Sequence, residues 1–211
     1  MEKFLNLKVI RYFILILIIS SCDLVQKKQH LKLLPSVKDN SVINKFSNLQ
    51  PEKIKQAYSS KKNELPIRYN NTQQIVLSDS KESVIDFLID EKINLGNEGY
   101  ILKIVEEKII IRAKDVAGLF YSFITLDQII EDSKNNNTNL PIISLNDFPS
   151  LKFRPIHLDI KHHTEKKSYY FDLIDYLAKL KINGIIVEFE DKLKYESRPE
   201  VGSSDSFSID W

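Results

Sequence analysis

Residues 98–130 read EGYILKIVEEKIIIRAKDVAGLFYSFITLDQII, and no other stretch restricts the fold so tightly. Tyr100, Leu102 and Ile104 alternate with Ile101, Lys103 and Val105. A polar triplet, Glu106-Glu107-Lys108, separates them from Ile109, Ile110 and Ile111. Two β-rich runs around a short polar turn predict a hairpin. Asp115 then occupies an N-cap position. Val116, Leu119, Phe120, Phe123, Leu126 and Ile130 follow at helical spacing and predict one apolar helix face. Gly118 inside that helix costs about 1 kcal/mol relative to alanine, which implies a close backbone neighbour, expected to be the sheet. A hairpin feeding an apolar-faced helix calls for a sheet with the helix laid on it, an α/β arrangement.

The flanks are weaker. Residues 31–34 predict an edge strand ended by Pro35, and residues 51–62 a helix with Pro51 at an acceptable first-turn position. Residues 67–69 and 75–77 read as short strands, and 82–91 as a short helix. Residues 133–139 are a polar loop and 141–145 a strand, with Asp147-Phe148-Pro149 closing the first unit. Beyond it come a strand (153–160), a helix (168–181) with Tyr170, Leu173, Ile174 and Leu177 on one face, an Asn183-Gly184 turn and a strand (185–189). Strand, helix and strand in about forty residues predict a βαβ unit with parallel strands.

At the N-terminus, Lys3, Lys8 and Arg11 precede the apolar run YFILILII, too short for the roughly 20 residues a membrane span needs. Small residues then lead to Cys22, the single cysteine. The pattern reads as an export signal over 1–21, and its cysteine placement resembles a bacterial lipoprotein signal, with Cys22 lipidated and 22–30 a tether. A plain secretory signal with an incidental cysteine is the other reading. The resemblance implies a bacterial cell-envelope protein held to a membrane through its lipid. With a net charge of +1, nothing favours nucleic acid as a partner.

Gly99-Tyr100-x-Leu102-x-Ile104, Ile109-x-Ile111-x-Ala113 and Ala117-Gly118-Leu119-Phe120-Tyr121, with Thr125-Leu126-x-Gln128-Ile129, resemble the non-catalytic N-terminal domain of glycoside hydrolase family 20, the β-N-acetylhexosaminidases. Asp147-Phe148-Pro149, Phe153-Arg154 and Leu158-Asp159 are similar to that family's approach to its (β/α)8 barrel. Leu177-Ala178-x-Leu180-Lys181-x-Asn183 is similar to its first barrel helix. The resemblance implies an α/β protein: an α+β accessory domain with a mixed sheet over 31–149, then an incomplete barrel over 150–211, its first two strands and first helix. A whole barrel takes about 250 residues, so the chain is expected to be a truncated form. Two positions depart from the family. His162 stands where the family's first barrel strand ends in a sugar-holding arginine, and Pro155 where it commonly has glycine. The run Val187-Glu188-Phe189-Glu190-Asp191-Lys192 looks more like the hexosaminidase D branch.

The resemblance also implies a chemistry: substrate-assisted retaining hydrolysis that releases terminal N-acetylhexosamine from glycans, without a cofactor. A glutamate protonates the leaving oxygen, and the aspartate before it orients the substrate's acetamido group, an exception to the two-carboxylate scheme. In the family that pair follows the fourth barrel strand, so no catalytic residue is expected here and the chain alone is expected to be inactive, with a complementing C-terminal fragment as a possible partner. The candidate substrate-binding residues are Asp159, His162, Glu190 and Asp191. Glu188 and Glu190, two apart, are expected to share one face of the second strand. Two alternatives stay open: a lipid-anchored glycan-binding or remnant protein without catalysis, and a metal-dependent barrel hydrolase using His157, Asp159, His162 and His163. The latter would need further ligands from other strands, so no metal site is expected.

Overall fold

The computed structural model describes residues 31–61, 75–161 and 163–209. Most of them build a seven-stranded mixed sheet from β1 (Asp39–Phe46), β2 (Gln56–Tyr58), β3 (Val76–Leu77), β4 (Ile85–Ile89), β5 (Tyr100–Ile104), β6 (Ile109–Ala113) and β7 (Pro141–Asp147). The order across it is β1-β7-β5-β6-β4-β2-β3. The β1–β7, β7–β5 and β5–β6 pairs are antiparallel, and the pairs from β6 through β4 and β2 to β3 are parallel. The predicted hairpin is β5–β6, with Tyr100 opposite Ala113 and Ile104 opposite Ile109.

Alternation along the central strands decides which face is covered. Leu102, Ile104, Ile109, Ile111 and Leu145 are wholly buried, while their strand neighbours reach the other side. Helix α1 (Val116–Asn135) lies on the buried face, where Phe123 meets Phe87 edge-on at 5.7 Å. Asp115 caps it as expected: Oδ1 accepts from the Gly118 amide at 2.7 Å, and Oδ2 also accepts from the Glu98 amide at 2.8 Å. Gly118 does mark a close approach. A Cβ there would clash with the Gly99 carbonyl oxygen and lie 3.0 Å from the Glu98 carbonyl carbon, so the helix start abuts the chain entering β5. Val116, expected on the apolar face, is instead 70% exposed, whereas Tyr121, Ser122, Ile124 and Thr125 are buried. The helix is covered on more than its sheet side: Gln128 bonds the Leu34 backbone, and Arg154 donates to the Tyr121 hydroxyl.

That second unit is β8 (Pro155–Asp159), helix α2 (Lys167–Lys179) and β9 (Gly184–Glu188). β8 and β9 are parallel, with Pro155 opposite Gly184 and Asp159 opposite Glu188, as the βαβ reading expects. Leu177 on the expected inner face of α2 is buried, but Ile174 is not. Phe153, Phe171 and Ile186 are also at least half exposed.

Several expectations are corrected. Residues 31–34 form no strand; instead Gln128 grips Leu34, accepting from its amide and donating to its carbonyl, both at 2.8 Å. The edge strand lies further on, at β1. Residues 51–61 contain only a 3-10 turn, Pro51–Lys53, before β2 pairs with β3 and β4. Sheet pairing here overrides local helix propensity. The expected helix at 82–91 is β4, whose Ile85 and Phe87 are buried while Asp86 and Leu88 are half-buried, a period of two. Glu190 does not continue the second strand: β9 ends at Glu188 and Glu190 opens a 3-10 turn with φ 45°. The expected strand at 67–69 lies outside the described residues, and so do Cys22 and His162.

Candidate functional site

β8 and β9 carry a lysine-centred polar cluster at each end. At their N-terminal end the cluster joins the two units. Arg154, just before β8, donates to Glu98 Oε2 at 2.6 Å, to the Tyr121 hydroxyl at 3.1 Å and to the Lys181 carbonyl at 2.9 Å. Lys181 ends α2 at a position that usually belongs to glycine. Its φ is 59°, its amide donates to Ala178 O and the Ile182 amide donates to Leu177 O, a Schellman arrangement. Its ammonium enters the first unit and donates to Asp147 Oδ2 and to the Tyr100 hydroxyl, each at 2.8 Å. Tyr100 donates in turn to Asp147 and lies 2.6 Å from the Thr125 hydroxyl. Lys181 and Asp147 side chains are only 8% and 11% exposed. Burial, ahead of the attraction of Asp147, pushes the Lys181 ammonium below its ordinary pKa; burial and the Asp147 charge hold the Tyr100 phenol far above its own. A cavity of about 560 Å³ opens beside this junction, walled in part by Lys38, Tyr121 and Phe148.

The other cluster sits at the C-terminal ends of the same strands, where parallel-barrel enzymes place functional groups. Lys161 is its centre. Its ammonium lies 3.2 Å from Asp159 Oδ2, 3.2 Å from Glu188 Oε1 and 3.4 Å from Glu190 Oε1. His157 Nε2 meets the other oxygen of Glu188 at 2.9 Å. Hydrogen bonds donated to Glu188 and then Asp159 hold the Lys161 ammonium above its ordinary pKa, and the bond from Lys161 holds Glu188 below the usual glutamate value. Glu188 is therefore an ionised acceptor at neutral pH, not the high-pKa acid that protonates a leaving group. Carboxylates around a cation suit the hydroxyls of a neutral ligand. Among the described residues, no group of three or more His, Cys, Asp or Glu is disposed to hold a metal ion.

Of the expected site residues, the structure brings Asp159 and Glu190 together through Lys161. Asp191 points away. Its carboxylate is 3.7 Å from Lys192, and its carbonyl accepts from Ser203, so it belongs to the loop that Lys192 and Asp205 close at 3.0 Å. Lys161, Glu188 and the junction set were not expected in these roles. A signal for Lys161 existed: Asp159 can accept from the amide two residues on, an Asx turn that brings Lys161 back beside it. The signal for Lys181 was a lysine where a helix stop favours glycine.

A sequence model of glycosyl hydrolase family 20, domain 2, matches residues 37–148, more than half of the chain. The chain belongs to glycosyl hydrolase family 20. It is 25% identical over 123 residues to a β-N-acetylhexosaminidase of Cellulomonas fimi, covering 56% of this chain and 25% of that one. It is likewise 25% identical over 92 residues to β-hexosaminidase B of Pseudoalteromonas piscicida, covering 44% of this chain and 12% of that protein. Among solved structures, a β-N-acetylhexosaminidase from Bacteroides fragilis superposes with a TM-score of 0.69 at 21% identity, over 85% of this chain and 40% of its own. A Flavobacterium johnsoniae chitobiase superposes with 0.65 at 18% identity, over 84% and 31%. At these identities the superpositions speak to the fold. The chain thus spans a quarter or less of the length of these curated relatives. The family match covers the seven-stranded sheet and α1; the strand-end acids lie after it.

Proposed function

We propose that this family 20 chain forms the front of a β-N-acetylhexosaminidase-type glycoside hydrolase. Residues 31–149 act as the accessory domain, and residues from 150 on open a (β/α)8 barrel. The observation that carries the reading is the attachment of a parallel βαβ unit, with acids at its strand ends, directly behind a family 20 domain 2. The exposed Phe153, Phe171, Ile174 and Ile186 support further β/α units, in the same or a second polypeptide, packing on this one. In this reading Asp159 and Glu190 accept hydrogen bonds from hydroxyls of a terminal N-acetylhexosamine. The Asp-Glu pair of the substrate-assisted mechanism would come from a later strand, so residues 1–211 by themselves turn over no substrate.

The test is saturation-transfer NMR of N-acetylglucosamine with the purified chain, beside an assay on chromogenic N-acetylglucosaminide and N-acetylgalactosaminide. Weak transfer that disappears in Asp159→Asn, with no turnover, supports the reading. Transfer unchanged in Asp159→Asn removes the strand-end acids from sugar binding, and turnover at an ordinary enzymatic rate contradicts the absence of a catalytic pair.

We also propose lipid anchorage through Cys22 in the bacterial envelope, supported by the basic, apolar and small-residue order of residues 3–22. Labelled palmitate should enter the wild-type protein and not Cys22→Ala; an unlabelled wild type refutes the anchor.

A further inference from the structure

Lys161 gathers carboxylates from three separate places: Asp159 at the end of β8, Glu188 at the end of β9 and Glu190 in the turn beyond. Three like charges converging on one point repel, and without a cation among them at least one is driven to take up a proton. Local structure holds the lysine there. Asp159 Oδ1 accepts from the Lys161 amide at 3.0 Å, so the acid that meets the ammonium also fixes its backbone. One residue earlier, the Ile160 amide donates to the Glu188 carbonyl at 3.2 Å and its side chain is buried, which ties the segment to β9. Glu190 meets Lys161 from a turn in which its own backbone lies in the left-handed region, φ 45°, which non-glycine residues avoid. That turn abandons the strand's alternation and returns the carboxylate toward the same centre. His157 braces Glu188 from its other oxygen.

We propose that Lys161 is the positioning residue of the strand-end site, holding Asp159, Glu188 and Glu190 convergent as a set of acceptors for the hydroxyls of a neutral sugar. A carboxylate offers about four lone-pair positions, so each acid can hold the ammonium and still accept from a ligand. The sugar as ligand rests on the glycoside hydrolase reading; the ammonium-centred cage does not. The raised Lys161 and lowered Glu188 pKa values follow from the same contacts. Among the described residues, the charged and titratable groups facing the ammonium are Asp159 from β8, Glu188 from β9 and Glu190 from the turn, with His157 on the far side of Glu188.

The experiment is a carbon-detected carboxyl titration of the full chain in wild type, Lys161→Met and Lys161→Arg, with N-acetylglucosamine binding followed on the same samples. Glu188 should titrate at higher pH in Lys161→Met and return toward the wild-type value in Lys161→Arg, and sugar binding should be lost in the first and kept in the second. Should Lys161→Met fail to fold, Glu188→Gln supplies the reciprocal reading: the Lys161 ammonium must then titrate at lower pH than in wild type. Glu188 titrating alike in all three proteins, or Lys161 unmoved by Glu188→Gln, overturns the cage. If Glu188 moves as expected while sugar binding is equal in all three, the cage stands and its role toward sugar is overturned.

Discussion

The two ends of β8 and β9 use one chemical theme under opposite conditions. At the N-terminal end, Lys181 meets one carboxylate and one phenol inside the molecule, 8% exposed; at the C-terminal end, Lys161 meets three carboxylates at the surface, 26% exposed. Removal from water dominates the first and pushes its ammonium pKa down, whereas partner bonds dominate the second and push it up. Charge bound in the interior cannot be separated from its partner without leaving an uncompensated charge, so it fixes how the two units meet. The exposed cluster keeps its partners within reach of solvent and therefore of a ligand. In parallel barrels the N-terminal end of the strands serves stability and the C-terminal end serves function, and the burial of these two lysines divides the same way. Both clusters also recruit backbone from the left-handed region: Glu98 and Lys181 in the junction, Glu190 in the strand-end set. Such conformations persist where the surroundings over-determine them.

The sharpest way to break the contrast is to strip each lysine of its partners. Asp147→Ala leaves the Lys181 ammonium and the Lys38 amide without their acceptor. Breaking a buried pair from one side costs about 3–5 kcal/mol, so the urea midpoint should fall steeply; a loss under about 1 kcal/mol would show that the junction is not what joins the units. Gly118→Ala comes next. Helix propensity alone would favour alanine by about 1 kcal/mol, but the added methyl meets backbone at Glu98 and Gly99, which cannot yield as a side chain does. The overpacking cost of about 1–3 kcal/mol should win, and a stabilised variant would contradict the close approach.

Tyr100→Phe removes the hydroxyl shared by Lys181, Asp147 and Thr125, at a cost of about 1–3 kcal/mol for the groups left behind. It carries a pH signature as well. The folded pKa of Tyr100 lies above the ordinary phenol value of 10.0, so its contribution is fully present below pH 10 and is lost as pH rises toward the folded value. The alkaline fall in stability should be shallower in Tyr100→Phe; an identical slope would mean the phenol is not held protonated. The smallest stability effect is expected at the other end. Lys161→Met should lower the urea midpoint at neutral pH less than any of these while it moves the Glu188 titration; a loss as large as that of Asp147→Ala would make this cluster structural too.

How much of this was legible depended on whether the deciding contact was local. The β5–β6 hairpin, the Asp115 cap, Gly118 and the β8-α2-β9 unit rest on neighbours in sequence, and alternation and spacing revealed them. β2 and β4 are different. Their strand state is decided by partners, Val76 and Leu77 for β2 and residues 109–113 for β4, although the Ile85–Phe87 alternation was readable. The Leu34 grip depends on Gln128, 94 residues away. At the candidate site, Asp159 and Glu190 could be picked out from their places near strand ends. The left-handed turn at Glu190 could not, because it is set by what lies across from it, and the same turn sends Asp191 to Ser203 and away from the cluster. The junction was present in the sequence as Arg154, Asp147, Tyr100 and Lys181, yet nothing in their spacing says that residues 81 positions apart share a hydrogen bond.

The division between the two strand ends is tested most directly by titrating both lysine side chains in one nitrogen-detected NMR experiment on the folded full chain. Lys181 should titrate below the ordinary lysine value of 10.5 and Lys161 above it. Lys181 titrating at or above Lys161 would contradict the assignment of a buried structural joint to one end and an open, ligand-facing site to the other.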